Sequence, residues 1–483
     1  MAVKRKRKKL PRWVRILRHY TPLICVILAF ILCVILLVTA VKAIFNGAKS
    51  KQEEKAAEEA ALLAEEAIQE PEPEPIDYAA LREEYLEKCE KITKSYDYEG
   101  AIELLSSLPE EEQTEEVKAK LAEYREEDSK LVTYSSMETI SHVFFHSLIV
   151  DTERAFDGDS KERGYNLYMT TVQEFRDILD SLYEKGYVLV TPHQVAGEVT
   201  DESGTHFAYL EIRLPEGKTP IMMSQDDVNY YGYMIGNQEG MDETPVFATP
   251  DGDGFASKIV IGEDGYATCE FMVADGNVLY GEYDLVPILE AFCQEHPDFS
   301  YRGARAVLGF TGYEGVMGYR TKPSYEEALG STRYKQECEE ATYVANVLKE
   351  QGWLLASHSY GHPAYGEITA EKVRIDSDKW EDTVQPIIGD TDILIYPHGS
   401  DIADTRNYDS SNEKFVALYE DGYRYFFNVD NCVAWHQLGE NYFRGNRRDL
   451  DGYRMYHHPD SMNDLIDAYS ILDPGRTYPV PTI

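Results

Sequence analysis

Two imidazoles stand four positions apart in Ser357-His358-Ser359-Tyr360-Gly361-His362, directly after the apolar run 353–356. If the backbone turns helically there, residues four apart point the same way and both rings can reach one cation. Twelve histidines occur in the chain, so the pair needs further ligands to mean anything. Two other apolar runs end in unusual chemistry. After 220–223 comes Ser224-Gln225-Asp226-Asp227, and adjacent carboxylates repel unless a cation or a shared proton compensates. After 393–395 comes Tyr396-Pro397-His398-Gly399, whose proline and glycine hold the backbone in an unusual path. One aspartate with two histidines is a common facial set for a hydrolytic metal, with positions left open for water and substrate. Read alone, Asp226-Asp227 suits a strand-ending turn or a helix N-cap. His146, at the end of an earlier apolar run, alone suits a core or rim histidine.

These strand ends need a scaffold that gathers them. Candidate strands are 142–145, 187–190, 220–224, 306–310, 353–356, 393–396, 425–428 and 453–456, with helical patterns between most of them. The clearest helix is 171–185, where Val172, Phe175, Ile178, Leu179 and Leu182 form one apolar stripe and Gly186 stops it. Such alternation predicts parallel strands with helical crossovers, an α/β chain closed as a (β/α) barrel. In a barrel the polar residues at the C-terminal strand ends build the active site. Residues from 232 to about 280 break the pattern, with five glycines between 252 and 276, and read as a β-rich insertion over the barrel mouth.

The 483-residue chain has room for two or three units. Its net charge of −39 argues against nucleic acid or an anionic lipid face as partner of the folded part. Residues 1–20 are basic, and the apolar run 22–41 contains Thr39 as its only polar side chain. That length crosses a bilayer as a helix, so 21–45 is expected to be an uncleaved membrane anchor with the N-terminus cytoplasmic and the rest extracellular. A cleaved signal peptide is the lesser alternative. Residues 46–76 form a charged, Pro-Glu-alternating stalk, and 77–133 carry helical spacing that suggests a repeat-like helical hairpin. Outside the apolar run five cysteines remain, with no CxxC spacing, which excludes a cysteine zinc site but leaves one or two isolated disulfides open.

Asp-Asp after a strand, His-Ser-x-x-His after a later one and Tyr-Pro-x-Gly after the next resemble the first three motifs of the polysaccharide deacetylase family, the NodB-homology or carbohydrate esterase family 4 group. The resemblance covers about 140–470, within a catalytic region expected at 134–475 that includes an insertion at about 232–304. It implies an irregular (β/α) barrel and metal-dependent removal of acetyl groups from N-acetylated sugars, often N-acetylglucosamine in wall or exopolysaccharide chains. Carried over by position, Asp227, His358 and His362 would hold the metal and Asp226 would take a proton from water. The metal would be zinc, although cobalt, nickel and iron(II) suit the same donors. The backbone N–H of Tyr396 would hold the oxyanion, with Pro397, His146 and Tyr360 as further substrate contacts. A late histidine, His457 or His458, would protonate the leaving amine, oriented by Arg447, Arg448, Asp449 and Asp451.

Three departures mark the chain as divergent within that resemblance. Val228 stands where the family has a glycine, the arginine expected shortly before Tyr396 is missing, and the spacing from Asp227 to His358 is long. Two alternatives to an N-deacetylase stay open: a glycan-binding surface protein on the same fold, and a metal-dependent O-acetyl esterase. A binding protein would need the ligands but not Asp226.

Overall fold

The computed structural model describes residues 77–236, 252–273, 275–430 and 432–483. The chain divides into two units, residues 1–77 and 78–483. The basic tail, membrane helix and stalk expected over 1–76 lie outside the described residues. Among the described residues no helix is long and apolar enough to cross a membrane.

Seven parallel strands close into a barrel: β1 (Ser141–Phe145), β2 (Thr219–Gln225), β3 (Val307–Phe310), β4 (Leu354–Ser357), β5 (Ile393–Ile395), β6 (Tyr425–Val429) and β7 (Phe443–Asp449). They pair in chain order, and β7 closes on β1 through Arg448↔Val143 and Asp449↔Phe144. β2 serves two neighbours on one edge. Its first residues pair with the short outer strand Tyr187–Leu189 and its last, Ser224 and Gln225, with β3. Seven of the eight expected strand sites are therefore strands. The exception is 453–456, which is helical because Asp451 caps it by accepting from the Arg454 amide.

The strand that closes the barrel is β7, whose sequence FRGNRRD reads as a solvated polar loop. Arg444, Asn446 and Arg447 are nevertheless all but fully buried, and Arg448 is 6% exposed, because each finds a partner. Inside the barrel, His142 of β1 packs edge-on to Phe427 of β6, 4.6 Å between ring centroids, although β7 lies between those strands. Outside it, Val172–Glu184 is capped by a reciprocal Thr171/Glu174 box, and Phe175 meets Phe145 at 4.9 Å. Phe175, Ile178, Leu179 and Leu182 of that helix are fully buried. Each contributes about 1.5–3 kcal/mol by leaving water.

The segment after β2 contains a three-stranded antiparallel sheet, Lys258–Ile261, Ala267–Met272 and Val278–Gly281, followed by the helix Leu285–Glu295. It is wired to the strand ends by buried Asp284, which accepts from the Gln225 amide, the Leu148 N–H and the Tyr230 hydroxyl. Residues 77–133 form three helices rather than a hairpin pair: Tyr78–Ile92, Tyr98–Ser106 and Glu115–Asp128. The third completes a small core by placing Val117, Leu121 and Tyr124 against Cys89, Ala101 and Leu105. Arg213 binds Asp128 at 2.8 Å and Arg302 binds Glu99 at 2.6 Å, so these helices dock on the barrel. All five described cysteines are free thiols, so neither of the isolated disulfides that the sequence left open is formed among them.

Candidate metal centre

Asp227, His358 and His362 converge from the ends of β2 and β4, with one ligand atom from each lying within 4.8 Å of the others. The route to that geometry differs from the helical turn expected for the histidine pair. His358 to His362 is a loop in which Ser359 and His362 take left-handed backbone angles, φ 63° and 50°. Asp376 holds it by accepting from the amides of Tyr360 (2.8 Å) and Gly361 (2.9 Å). A turn held by a distant aspartate cannot be read from local spacing.

His358 Nδ1 lies 3.0 Å from the Ile395 carbonyl, so Nδ1 carries the proton and Nε2 offers its lone pair. That Nε2 is 3.2 Å from His362 Nε2. Two nitrogens held tetrahedrally at about 2.0–2.1 Å from one zinc-like ion lie about 3.3 Å apart, so the pair fits a shared cation. Burial holds His362 down at about pKa 4, which keeps the ring neutral as a ligand must be. Asp227 sits at φ 56°, a strained conformation for a residue with a side chain. Its Oδ1 accepts from Tyr231 at 2.6 Å, and Tyr231 also meets the Thr311 hydroxyl at 2.9 Å. Asn229 braces the same turn from Thr311, donating to its carbonyl at 3.0 Å and accepting from its amide at 3.1 Å. The left-handed angle is carried by Asp227 itself, and Val228 after it is fully buried.

Asp226 is 3% exposed and paired bidentately with Arg447, at 2.6 and 2.8 Å. Burial alone would raise its pKa. The Arg447 guanidinium and then the His358 ring outweigh that and hold it well below the usual carboxylate range. Its Oδ2 is 3.8 Å from His358 Nε2. Arg447, which comes from β7, thus serves Asp226 rather than a late histidine. The other residues expected to tune that histidine also have different partners. Arg448 binds Asp464 and the Ser461 carbonyl, Asp449 faces Arg454 at 3.7 Å, and Asp451 caps Gly452–His457. Burial, together with each other's charge for Asp451, pushes both aspartates' pKa values up.

The structure also places the remaining expected site residues. The Tyr396 amide donates to the Phe427 carbonyl in the β5–β6 ladder at 2.9 Å, so it has no proton free for an oxyanion. Its fully buried hydroxyl meets Tyr408 at 2.9 Å. Buried Pro397 instead turns the chain so that His398, at φ 56°, brings its ring to 4.4 Å from that of His362. Tyr360 packs over Gly312, where a Cβ would lie 2.2 Å from its ring. His457 does not join the cluster: its Nε2 lies 3.0 Å from both the Val480 and Pro481 carbonyls, while His458 Nε2 is 3.3 Å from the Tyr453 hydroxyl. His146 lies near Asp226, as His398 lies near His362. β1 and β2 pair through Phe145↔Gln225, and one step further His146 stands opposite Asp226. Its Nδ1 contacts the Tyr168 carbonyl at 3.2 Å.

No family model matches the sequence, and no curated protein matches it. Among solved structures the chain is similar to one described as Streptococcus pyogenes deacetylase PplD in complex with acetate, at 10% identity and a TM-score of 0.32. That alignment covers 71% of this chain and all of the other.

Proposed function

We propose that the chain is a divalent-metal-dependent hydrolase that removes acetyl groups from an N-acetylated sugar polymer, such as peptidoglycan or an exopolysaccharide. On this reading 21–45 tethers it to the membrane with the barrel outside the cell, in keeping with the basic residues that precede the apolar run. The observation that carries the reading is the pairing of a three-donor set with a second carboxylate, Asp226, that is ionised but is not one of the three. Zinc or a similar cation held by Asp227, His358 and His362 supplies Lewis acidity to water and to the amide oxygen.

The chain's own residues do the rest. Asp226, kept ionised by Arg447, accepts the proton that water loses as it attacks the acetyl carbon. Arg447 fixes its two oxygens in place, so the acceptor does not need to reorganise. His146, opposite Asp226, gives a proton to the sugar nitrogen as the C–N bond breaks. Acetate and a free amine leave, and the proton count balances.

A glycan-binding protein without turnover is the second reading, favoured by the ladder bond that occupies the Tyr396 amide. Acetate release from N-acetylated chitooligosaccharides and peptidoglycan, with bound metal measured in the same sample, separates the two. Metal bound without release from either substrate would sink the hydrolase.

A further inference from the structure

A second concavity opens beside the metal centre, and nothing in the chemistry above uses it. It is a cavity of about 490 Å³ at the ends of β5 and β6, within the size range of small-ligand sites. Its walls join the site directly. Gly366 and Glu367 continue the loop that carries His362, and Gly399 and Ser400 continue the turn that carries His398. The two loops are tied together, with the Gly366 amide donating to the Ser400 carbonyl and 3.1 Å from its hydroxyl.

The lining points to a ligand class. Trp435 supplies an aromatic face, and the Arg444 guanidinium stacks on its ring at 4.6 Å, which holds the indole in place. An aromatic plane of this kind packs against the C–H face of a sugar ring. Asn428, 8% exposed, gives its amide N–H to Asp401 at 3.2 Å, while its buried Oδ1 has no hydrogen-bond partner. A buried acceptor without a partner is rare and suits a donor brought by a ligand. Glu367, Asp401, Asp404 and Asp430 also line the cavity, and no basic side chain does. Asp401 is committed to Arg444 and Tyr408, whereas the carboxylates of Glu367 and Asp404 enter no ion pair among the described residues.

We infer that this cavity is a subsite for a hexosamine unit carrying a free ammonium, next to the acetylated unit at the metal. The inference rests on the hydrolase reading for its substrate class. It gives the enzyme a preference for chains that are already partly deacetylated, because the amine released at one unit becomes the cation the next subsite attracts.

The test is calorimetric titration of the metal-loaded protein with glucosamine tetramer and with N-acetylglucosamine tetramer. The free-amine tetramer should bind about five-fold tighter, the upper range for partly exposed charge pairs. Replacing both carboxylates (Glu367→Gln with Asp404→Asn) should erase that preference, and Trp435→Ala should weaken both sugars. Equal binding of the two tetramers, or a preference that survives the double substitution, overturns the subsite. Failure of the hydrolase reading looks different: no acetate is released, yet the amine preference persists. If Trp435→Ala does not fold, the two surface charge substitutions still decide.

Discussion

Among the buried arginine–carboxylate pairs of the described residues, two do opposite jobs. Glu174 and Arg476 are fully buried and bonded at 2.5 and 2.6 Å. The further hydrogen bonds of that pair go to backbone and to the Asn166 side-chain oxygen. Glu174 also accepts from the amides of Thr171 and Asp473, and Arg476 also donates to the Asn166 and Met169 carbonyls. This pair pins the C-terminal segment to Val172–Glu184. Asp226 and Arg447 are equally buried and equally well aligned, but Arg447 Nε has no hydrogen-bond partner and Asp226 looks onto His358. Saturation marks a pair that closes a fold, while a pair with capacity left over, beside strained backbone, marks a site.

The largest expected effect tests that distinction on the site side. Asp226→Asn should lower acetate release by about 10²–10⁴-fold, the span of one lost general base, while bound metal stays at wild-type stoichiometry. Metal lost together with turnover would make Asp226 a ligand and dissolve the division of roles. On the structural side, Arg476→Ala leaves Glu174 buried and unpaired and should cost about 3–5 kcal/mol in chemical denaturation. Metal per folded molecule should not change; if it fell, the two pairs would not be separable. Tyr231→Phe removes the hydrogen bond on Asp227 Oδ1 and should weaken metal affinity by about 10–100-fold in a chelator competition. An unchanged affinity would mean the turn alone orients Asp227.

The smallest effect comes from neutral histidines packed around β7. Burial holds His436 at about pKa 4, and burial followed by the Arg447 charge holds His142 well below its ordinary value. The unfolded chain takes up these protons near pH 6.5, and folded His436 does so only near 4. Stability is therefore fully present above pH 6.5 and falls as the pH drops toward 4, by up to about 1.4 kcal/mol per unit per histidine. Thermal melts across that window should show the slope, reduced in His436→Gln; a flat profile would show that these rings protonate in place.

Much of the scaffold could be read directly because parallel strands buried on both faces leave apolar runs, and seven runs fell on or within a residue of true strands. β7 was invisible to that rule, since three arginines in seven residues look like solvent-facing chain until their partners are known. The same blindness assigned Arg447 to a late histidine instead of to Asp226. His146 was read as a substrate contact after a strand, and its place near Asp226 follows from the pairing of β1 with β2.

The sequence by itself determined the donors: an aspartate and two histidines, each just past an apolar run, of types that suit one cation. Tertiary structure alone decided everything that depends on partners far along the chain. It matched Asp226 with an arginine 221 residues away, withheld the Tyr396 amide by giving it to β6, and left His457 and His458 with the C-terminal segment and a neighbouring tyrosine. Residue type is local chemistry, but whether a group is free, paired or ionised is set by its neighbours, and those are chosen by the closing of the barrel.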